Sequence, residues 1–278
     1  MKLKTIVAAT LLGVSSFAAN ATVIDLFTDP SAPSAPQSVE SSVVGTVVTN
    51  QYGPSATTII GGYRDLSVEN TGQLFGSGDA TLTAGNGFLS LSGDSGVSAY
   101  GVVTWDGINY AGDNGAFVKW DGLGGLDLTD GGTLQGFLTT VFKADLGFNY
   151  EIKVWDMDGS IATLAAAVQF GVPYNPAGIG AFYDFDWFQL ADGFYCDGVS
   201  SPPQCDDPVT ELDFEITRGG NLGNIDFTKI GALQLVLYGV ADADLTIGKI
   251  QTVPEPGSMA LAGLGLLGLA ALRRRKQA

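Results

Sequence analysis

Three carboxylates stand at alternate positions in Glu211-Leu212-Asp213-Phe214-Glu215. On a strand, period-2 spacing puts Glu211, Asp213 and Glu215 on one face. Two carboxylates about 5–5.5 Å apart can hydrolyse a glycoside with retention, one as nucleophile and one as acid/base. Positions i and i+4 of a strand are ~13 Å apart, so those side chains would have to lean together over a curved sheet. This chemistry needs no histidine, and the chain has none. The absence excludes Ser-His-Asp and Cys-His catalysis, and zinc or haem held by histidine.

Two further constellations could bind rather than react. Asp156-Met157-Asp158-Gly159-Ser160 sets two carboxylates at i and i+2 beside a glycine turn. Asp156 and Asp158 are candidate ligands for a hard cation such as Ca2+, although an Asp-Gly turn accounts for the same letters. Tyr183, Phe185, Trp187 and Phe188 interleave with Asp184 and Asp186 in the densest aromatic–acid segment. Tyr183 and Trp187 are therefore candidate glycan contacts. Trp105-Asp106, Trp120-Asp121 and Trp155-Asp156 repeat the pairing, each at a predicted strand end. Aromatic platforms and rings that close a sandwich end are both consistent with that placement. At Trp120 the neighbouring Val118 shares its face, which points that position to the core.

The ends of the chain read as addresses. Met1-Lys2-Leu3-Lys4, an apolar run from Ile6 to Phe17 and Ala19-Asn20-Ala21 make a signal peptide cut after Ala21. At the other end, Ser258 to Leu272 is uncharged and precedes Arg273-Arg274-Arg275-Lys276. As a helix it spans about 22 Å, short of the ~30 Å hydrocarbon core, so it suits a transient membrane hold with the basic cluster cytoplasmic. Export makes a local disulfide between Cys196 and Cys205, the only cysteines, the expected pairing.

Residues 22–253 form the body, which has seven basic residues against 28 acidic ones, a net charge of −21. Charge of that sign excludes nucleic acid as a partner, and a divalent cation, Ca2+, would relieve its self-repulsion. The body shows period-2 alternation broken by Gly/Asp/Asn turns and no long helical period. Predicted strands include 43–48, 63–68, 99–105, 116–120, 136–142, 150–155, 161–170, 182–188, 233–238 and 244–250. They describe an all-β fold, an antiparallel β-sandwich or jelly roll in one domain, flanked by a signal helix and a short C-terminal apolar helix.

Three resemblances add to this reading. Pro254-Glu255-Pro256, the apolar stretch and the arginines Arg273, Arg274 and Arg275 resemble the PEP-CTERM sorting tail. The resemblance implies export by a Gram-negative bacterium that makes exopolysaccharide. It also implies cutting by exosortase, a membrane cysteine protease, near the Pro254-Glu255-Pro256 recognition site. Ile60-Gly61-Gly62-Tyr63-Arg64-Asp65-Leu66, with Trp105-Asp106-Gly107 and Gly122 to Thr129, resembles an uncharacterised family of secreted bacterial β-sandwich proteins. Glu211 to Glu215 is similar to the Glu-x-Asp-x-Glu strand of laminarinase-like retaining glycoside hydrolases. That likeness implies Glu211 as nucleophile, Asp213 as its helper and Glu215 as acid/base. Only 38 residues lie between Glu215 and the sorting tail at Pro254, where that family needs much of its sandwich.

The expected protein is therefore a non-catalytic structural or adhesive component of the cell surface or extracellular matrix, associated with exopolysaccharide. Signal peptidase and exosortase are its expected processing enzymes, and its membrane contact is the C-terminal segment before cleavage. A carbohydrate-binding module is the first alternative and a glycoside hydrolase the second.

Overall fold

Alternation of apolar and polar side chains builds two antiparallel sheets that share one core. The computed structural model describes residues 21–30, 34–55, 57–109, 117–146, 148–168, 174–185, 194–195, 214–219 and 225–253. Sheet A runs in the order β1 (Val23–Asp25), β16 (Ile250–Val253), β8 (Gly136–Ala144), β15 (Asp244–Ile247), β6 (Phe88–Gly93), β5 (Ala80–Gly85) and β2 (Gln37–Ser41). β11 (Ile179–Asp184) also pairs with β8. Sheet B runs β12 (Phe194–Tyr195), β13 (Phe214–Gly219), β10 (Ile161–Val168), β9 (Phe148–Asp156), β14 (Ile230–Gly239), β7 (Val97–Trp105), β4 (Arg64–Gln73) and β3 (Val47–Tyr52). The expected all-β sandwich is the fold. No helix among the described residues is long and apolar enough to cross a membrane; the two segments expected to form flanking helices fall outside those residues.

The core follows from register. Leu66, Val68, Val103, Leu233, Leu235 and Leu237 of sheet B face Leu82, Leu89, Leu91, Val141 and Leu245 of sheet A, all buried in one cluster. Gly101 in β7 is part of this fit. A Cβ there would sit 3.0 Å from Leu91 and 3.4 Å from Leu82, so the bare backbone lets both leucines close on the opposite sheet.

Three predicted strands are corrected. In 43–48, Thr46 N–H donates to the Val43 carbonyl (3.0 Å) and Gly45 takes φ +75°, making a turn between β2 and β3. In 116–120, the described residues 117–120 are not a strand, because the Lys119 amide is captured by Asp106 Oδ2 at 3.0 Å. In 244–250, the strand breaks into β15 and β16 at Gly248, whose N–H still reaches the Thr140 carbonyl of β8 (2.7 Å).

The sandwich has two distinct ends. β14 starts, and β7, β9 and β16 finish, at the near end, where Phe137 packs on Phe185 and Phe227. Thr22 and Thr252 meet there: Thr22 N–H donates to Thr252 Oγ1 (3.0 Å) and Thr252 N–H to the Thr22 carbonyl (2.8 Å). The first and last described strands thus enter and leave side by side. The far end carries the turns after β4, β8 and β14, which expose Leu74, Phe75, Leu146 and Val240.

Candidate functional site

A charged cluster sits inside the core, next to β1. Arg64 and Asp25 are both fully buried. Arg64 occupies the core-facing register of β4, in phase with Leu66 and Val68. Its Nη1 donates to both Asp25 oxygens at 3.0 Å, its Nε to Gln37 Oε1 at 2.8 Å and its Nη2 to the Asp29 carbonyl at 2.6 Å. Trp105 Nε1 donates to Asp25 Oδ2 (2.9 Å) and the Phe27 amide to Oδ1 (2.7 Å). The guanidinium lies 5.6 Å from the Phe27 ring centre and 5.7 Å from that of Tyr52. Burial raises the Asp25 carboxyl, opposed by Arg64, the indole and the Phe27 amide. These donors are spent on one another, so the cluster staples β1 to sheet B and leaves no group to act on a substrate. The sequence signal was an arginine in phase with an apolar alternation, Arg64-x-Leu66-x-Val68.

Asp156 serves a turn. It is buried, its Oδ1 accepts from the Asp158 (3.1 Å) and Ser160 (3.2 Å) amides, and its Oδ2 accepts from the Asp226 amide at 3.1 Å. Desolvation, with the neighbouring Asp158 carboxyl, raises Asp156, against the pull of the backbone amides. Asp158 is exposed and held low, chiefly by its bond from Ser160. No group of three or more His, Cys, Asp or Glu among the described residues is placed to hold a metal ion.

Tyr183 is a correction. It is 2% exposed, and its hydroxyl bonds that of Tyr150 across the core. β11 pairs with β8, and the alternation puts Ala181, Tyr183 and Phe185 inside. Phe185 stacks on Phe227 at 4.1 Å. The apolar half of the aromatic–acid segment is thus a core face. Burial raises both tyrosine hydroxyls well above their ordinary value. Beside them the sheets enclose an apolar cavity of about 40 Å³, room for a water and not for a sugar. Trp105 is core, as the structural reading of the Trp-Asp pairs has it, but Trp120 is 43% exposed and corrects the inward placement.

Glu215 lies in β13, opposite Ala167 of β10. Glu211, Asp213, Cys196, Cys205, Trp187, Pro254, Glu255, Pro256, Arg273, Arg274 and Arg275 lie outside the described residues.

The outer face of sheet B, turned from the core, carries a polar patch that sequence reasoning missed. Tyr100, Tyr238 and Asn149 share one register row across β7, β14 and β9; Val102, Val236 and Glu151 form the next; Thr104, Gln234 and Lys153 the third. Tyr100 and Tyr238 pack with ring centres 5.0 Å apart, tilted by 58°. Tyr238 donates its hydroxyl to Glu151 Oε1 (3.0 Å), and Lys153 Nζ pairs with Glu151 Oε2 (3.1 Å). Gln234 Nε2 donates to Thr104 Oγ1 at 3.0 Å. Sequence alternation marked these strands but not which strands are neighbours.

β16 ends at Val253, and residues 252–276 match the model of the PEP-CTERM protein-sorting motif. The chain carries a PEP-CTERM sorting tail. No curated protein matches the chain. Among solved structures it is similar to PfGH50B, at 13% identity over 64% of this chain and 22% of that one, with a TM-score of 0.38. It is similar to an exo-beta-agarase at 11% identity over 85% of this chain and 25% of that one, TM-score 0.38. It is also similar to the family 11 carbohydrate-binding module of a cellulosomal cellulase of Clostridium thermocellum, at 10% identity over 85% and 95%, TM-score 0.35. The chain spans a quarter or less of the first two proteins, and these likenesses carry no argument about ligand or activity. The matched range begins at Thr252, which lies at the near end beside Thr22.

Proposed function

We propose that the protein is an exported, exosortase-processed component of the cell surface or extracellular matrix of a Gram-negative bacterium. Its body, residues 22–253, has a structural or adhesive role with exopolysaccharide and is not an enzyme. The observation that carries this reading is the sorting motif at residues 252–276. The meeting of Thr22 and Thr252 supports it, since signal peptide and tail then reach one membrane from one end of the sandwich. The buried carboxylates support the non-catalytic part, because Asp25 and Asp156 bind the protein's own donors. A disulfide between Cys196 and Cys205 and bound Ca2+ belong to the same proposal.

Fractionation of cells expressing the full chain tests it. The expected result is a shortened protein in the surface or medium fraction of an exosortase-competent strain. Without exosortase, or with Pro254, Glu255 and Pro256 changed to alanine, the longer form accumulates in the inner membrane. Identical fractionation in all three strains refutes the proposal. Release of reducing ends from a β-glucan, lost in Glu211→Gln, refutes the non-catalytic part.

A further inference from the structure

The outer face of sheet B is not an ordinary solvated sheet surface. Val102 and Val236 are 3% and 0% exposed, yet both stand outside the core cluster. They form an apolar floor on the side of the sheet away from the core. Ser67, Thr104 and Gln234 are buried in the same rows. Above this floor stand the half-buried rings of Tyr100 and Tyr238, and beside them the linked series Tyr238–Glu151–Lys153.

We propose that this face binds a neutral polysaccharide, with Tyr100 and Tyr238 as stacking platforms and Glu151 and Lys153 as hydrogen-bonding partners of sugar hydroxyls. The proposal deepens the exopolysaccharide reading above and rests on it only for the source of the glycan.

The chemistry fits a pyranose chain on three counts. A sugar ring has an apolar C–H face and an equatorial belt of hydroxyls, so it needs an aromatic surface next to fixed donors and acceptors. The rings supply the first. Glu151 supplies acceptors, while the Lys153 ammonium supplies donors. The groups are held in place before any ligand arrives. Glu151 is fixed from both sides, by Tyr238 and by Lys153, and all three stand on central strands of the sheet. Rigid placement lowers the ordering cost of binding.

Charge selects the class of glycan. Glu69 shares the tyrosine row and Asp65 the Lys153 row, so this face carries three carboxylates against one lysine. The body as a whole carries seven basic residues against 28 acidic ones. A uronic-acid or sulfated polymer would meet repulsion at the face and from the whole molecule. A neutral polymer meets neither. Burial and the adjacent carboxylates raise the Tyr100 and Tyr238 hydroxyls, so both rings stay neutral across the physiological range.

Placement fits the sorting tail. Tyr238 is eight residues along β14 from Ile230 at the near end, a rise of about 26 Å. A body held by its tail would present the tyrosine pair away from the membrane, where a cell-surface polymer is found.

Native affinity electrophoresis of the full chain in mild detergent tests the proposal. Gels contain hydroxyethyl cellulose, laminarin or galactomannan as neutral probes and alginate as the anionic one. The wild type is expected to be retarded in at least one neutral gel and to run freely in alginate. Tyr100→Ala and Tyr238→Ala are each expected to weaken the retardation tenfold or more. Tyr238→Leu, which keeps an apolar cover on Val236, guards against misfolding and is expected to weaken it as much; Tyr238→Phe, which keeps the ring, less than fivefold. Free migration of the wild type in every neutral gel overturns the proposal. So does equal retardation of wild type and folded ring-loss variants, or retardation in alginate as strong as in a neutral glycan. Sorting is read separately by fractionation, so a chain that is correctly sorted and binds no glycan overturns this proposal alone.

Discussion

Replacing Asp25 by asparagine tests the reading of the buried cluster most directly. The substitution keeps the volume and removes the charge. Asp25 accepts from Arg64 Nη1 on both oxygens at 3.0 Å, from Trp105 Nε1 at 2.9 Å and from the Phe27 amide at 2.7 Å. An asparagine must turn its NH2 towards one of these donors. Arg64 then remains fully buried with only Gln37 Oε1, the Asp29 carbonyl and two aromatic faces as partners. Leaving one member of a buried pair uncompensated costs about 3–5 kcal/mol. For a body of this size each kcal/mol moves the midpoint by about 2–4 °C, so the melting temperature of Asp25→Asn should fall by roughly 6–20 °C. Thermal unfolding followed by circular dichroism measures it, and urea unfolding gives the free energy. The double variant Asp25→Leu with Arg64→Met removes both charges and should lose less than either single variant. A loss below about 1 kcal/mol in Asp25→Asn, or a double variant worse than the two singles combined, would refute the reasoning.

Further outcomes follow from the turns and close contacts. Hydroxyl bonds hold Asp29, Asp127 and Asp226 below the usual carboxylate range, from Ser55, Thr129 and Thr228 respectively. Their contribution is present above the unfolded value near pH 4 and lost as pH falls through the lowered folded values; the urea midpoint should therefore drop below about pH 4. Asp127→Asn with Asp226→Asn should flatten that drop, and an unchanged profile would count against it. Asp156→Ala, which strands the Asp158 and Asp226 amides and leaves the Ser160 amide only Asp158 Oδ1, should cost about 2–3 kcal/mol. Exposed Asp158→Ala should leave the urea midpoint unchanged. Equal losses in both, abolished by a chelator that destabilises the wild type, would favour a cation pair instead. At Gly231 a Cβ would sit 1.9 Å from the Trp120 carbonyl oxygen, so Gly231→Ala should cost about 1–3 kcal/mol by overpacking. A neutral effect on thermal unfolding would show that residues 120–123 do not lie against β14.

Alternation made most strands legible because half-buried strands print their burial in the sequence. Strands β4, β7, β9 and β14 fall where period 2 puts them. The pattern fails where a side chain answers to something other than its own strand. Trp120 has the apolar spacing of a core residue, but Asp106 seizes the Lys119 amide from 13 residues away and turns the segment outward. Tyr183 has the composition of a binding surface, but pairing with β8 spends it on the core. Arg64 has the charge of a surface residue, and only Asp25, 39 residues earlier, makes its burial tolerable. Each failure is a long-range partner that local pattern cannot name.

The same limit explains why the aromatic surface emerged on different residues from those the sequence suggested. Tyr100 and Tyr238 are 138 positions apart, and each alone is an unremarkable outward residue of a strand. Strand order makes them neighbours, because β14 lies between β7 and β9. That order also puts Glu151 next to Tyr238. Composition favoured the stretch from Tyr183 to Phe188 because aromatics and acids are adjacent there in the chain. On a strand, adjacent residues point to opposite faces, so chain density of aromatics and acids divides them between core and surface. A face rich in both must be gathered from neighbouring strands. The glycan reading of this protein therefore stands on register rows across β7, β14 and β9, and Tyr238→Leu is the variant on which it turns.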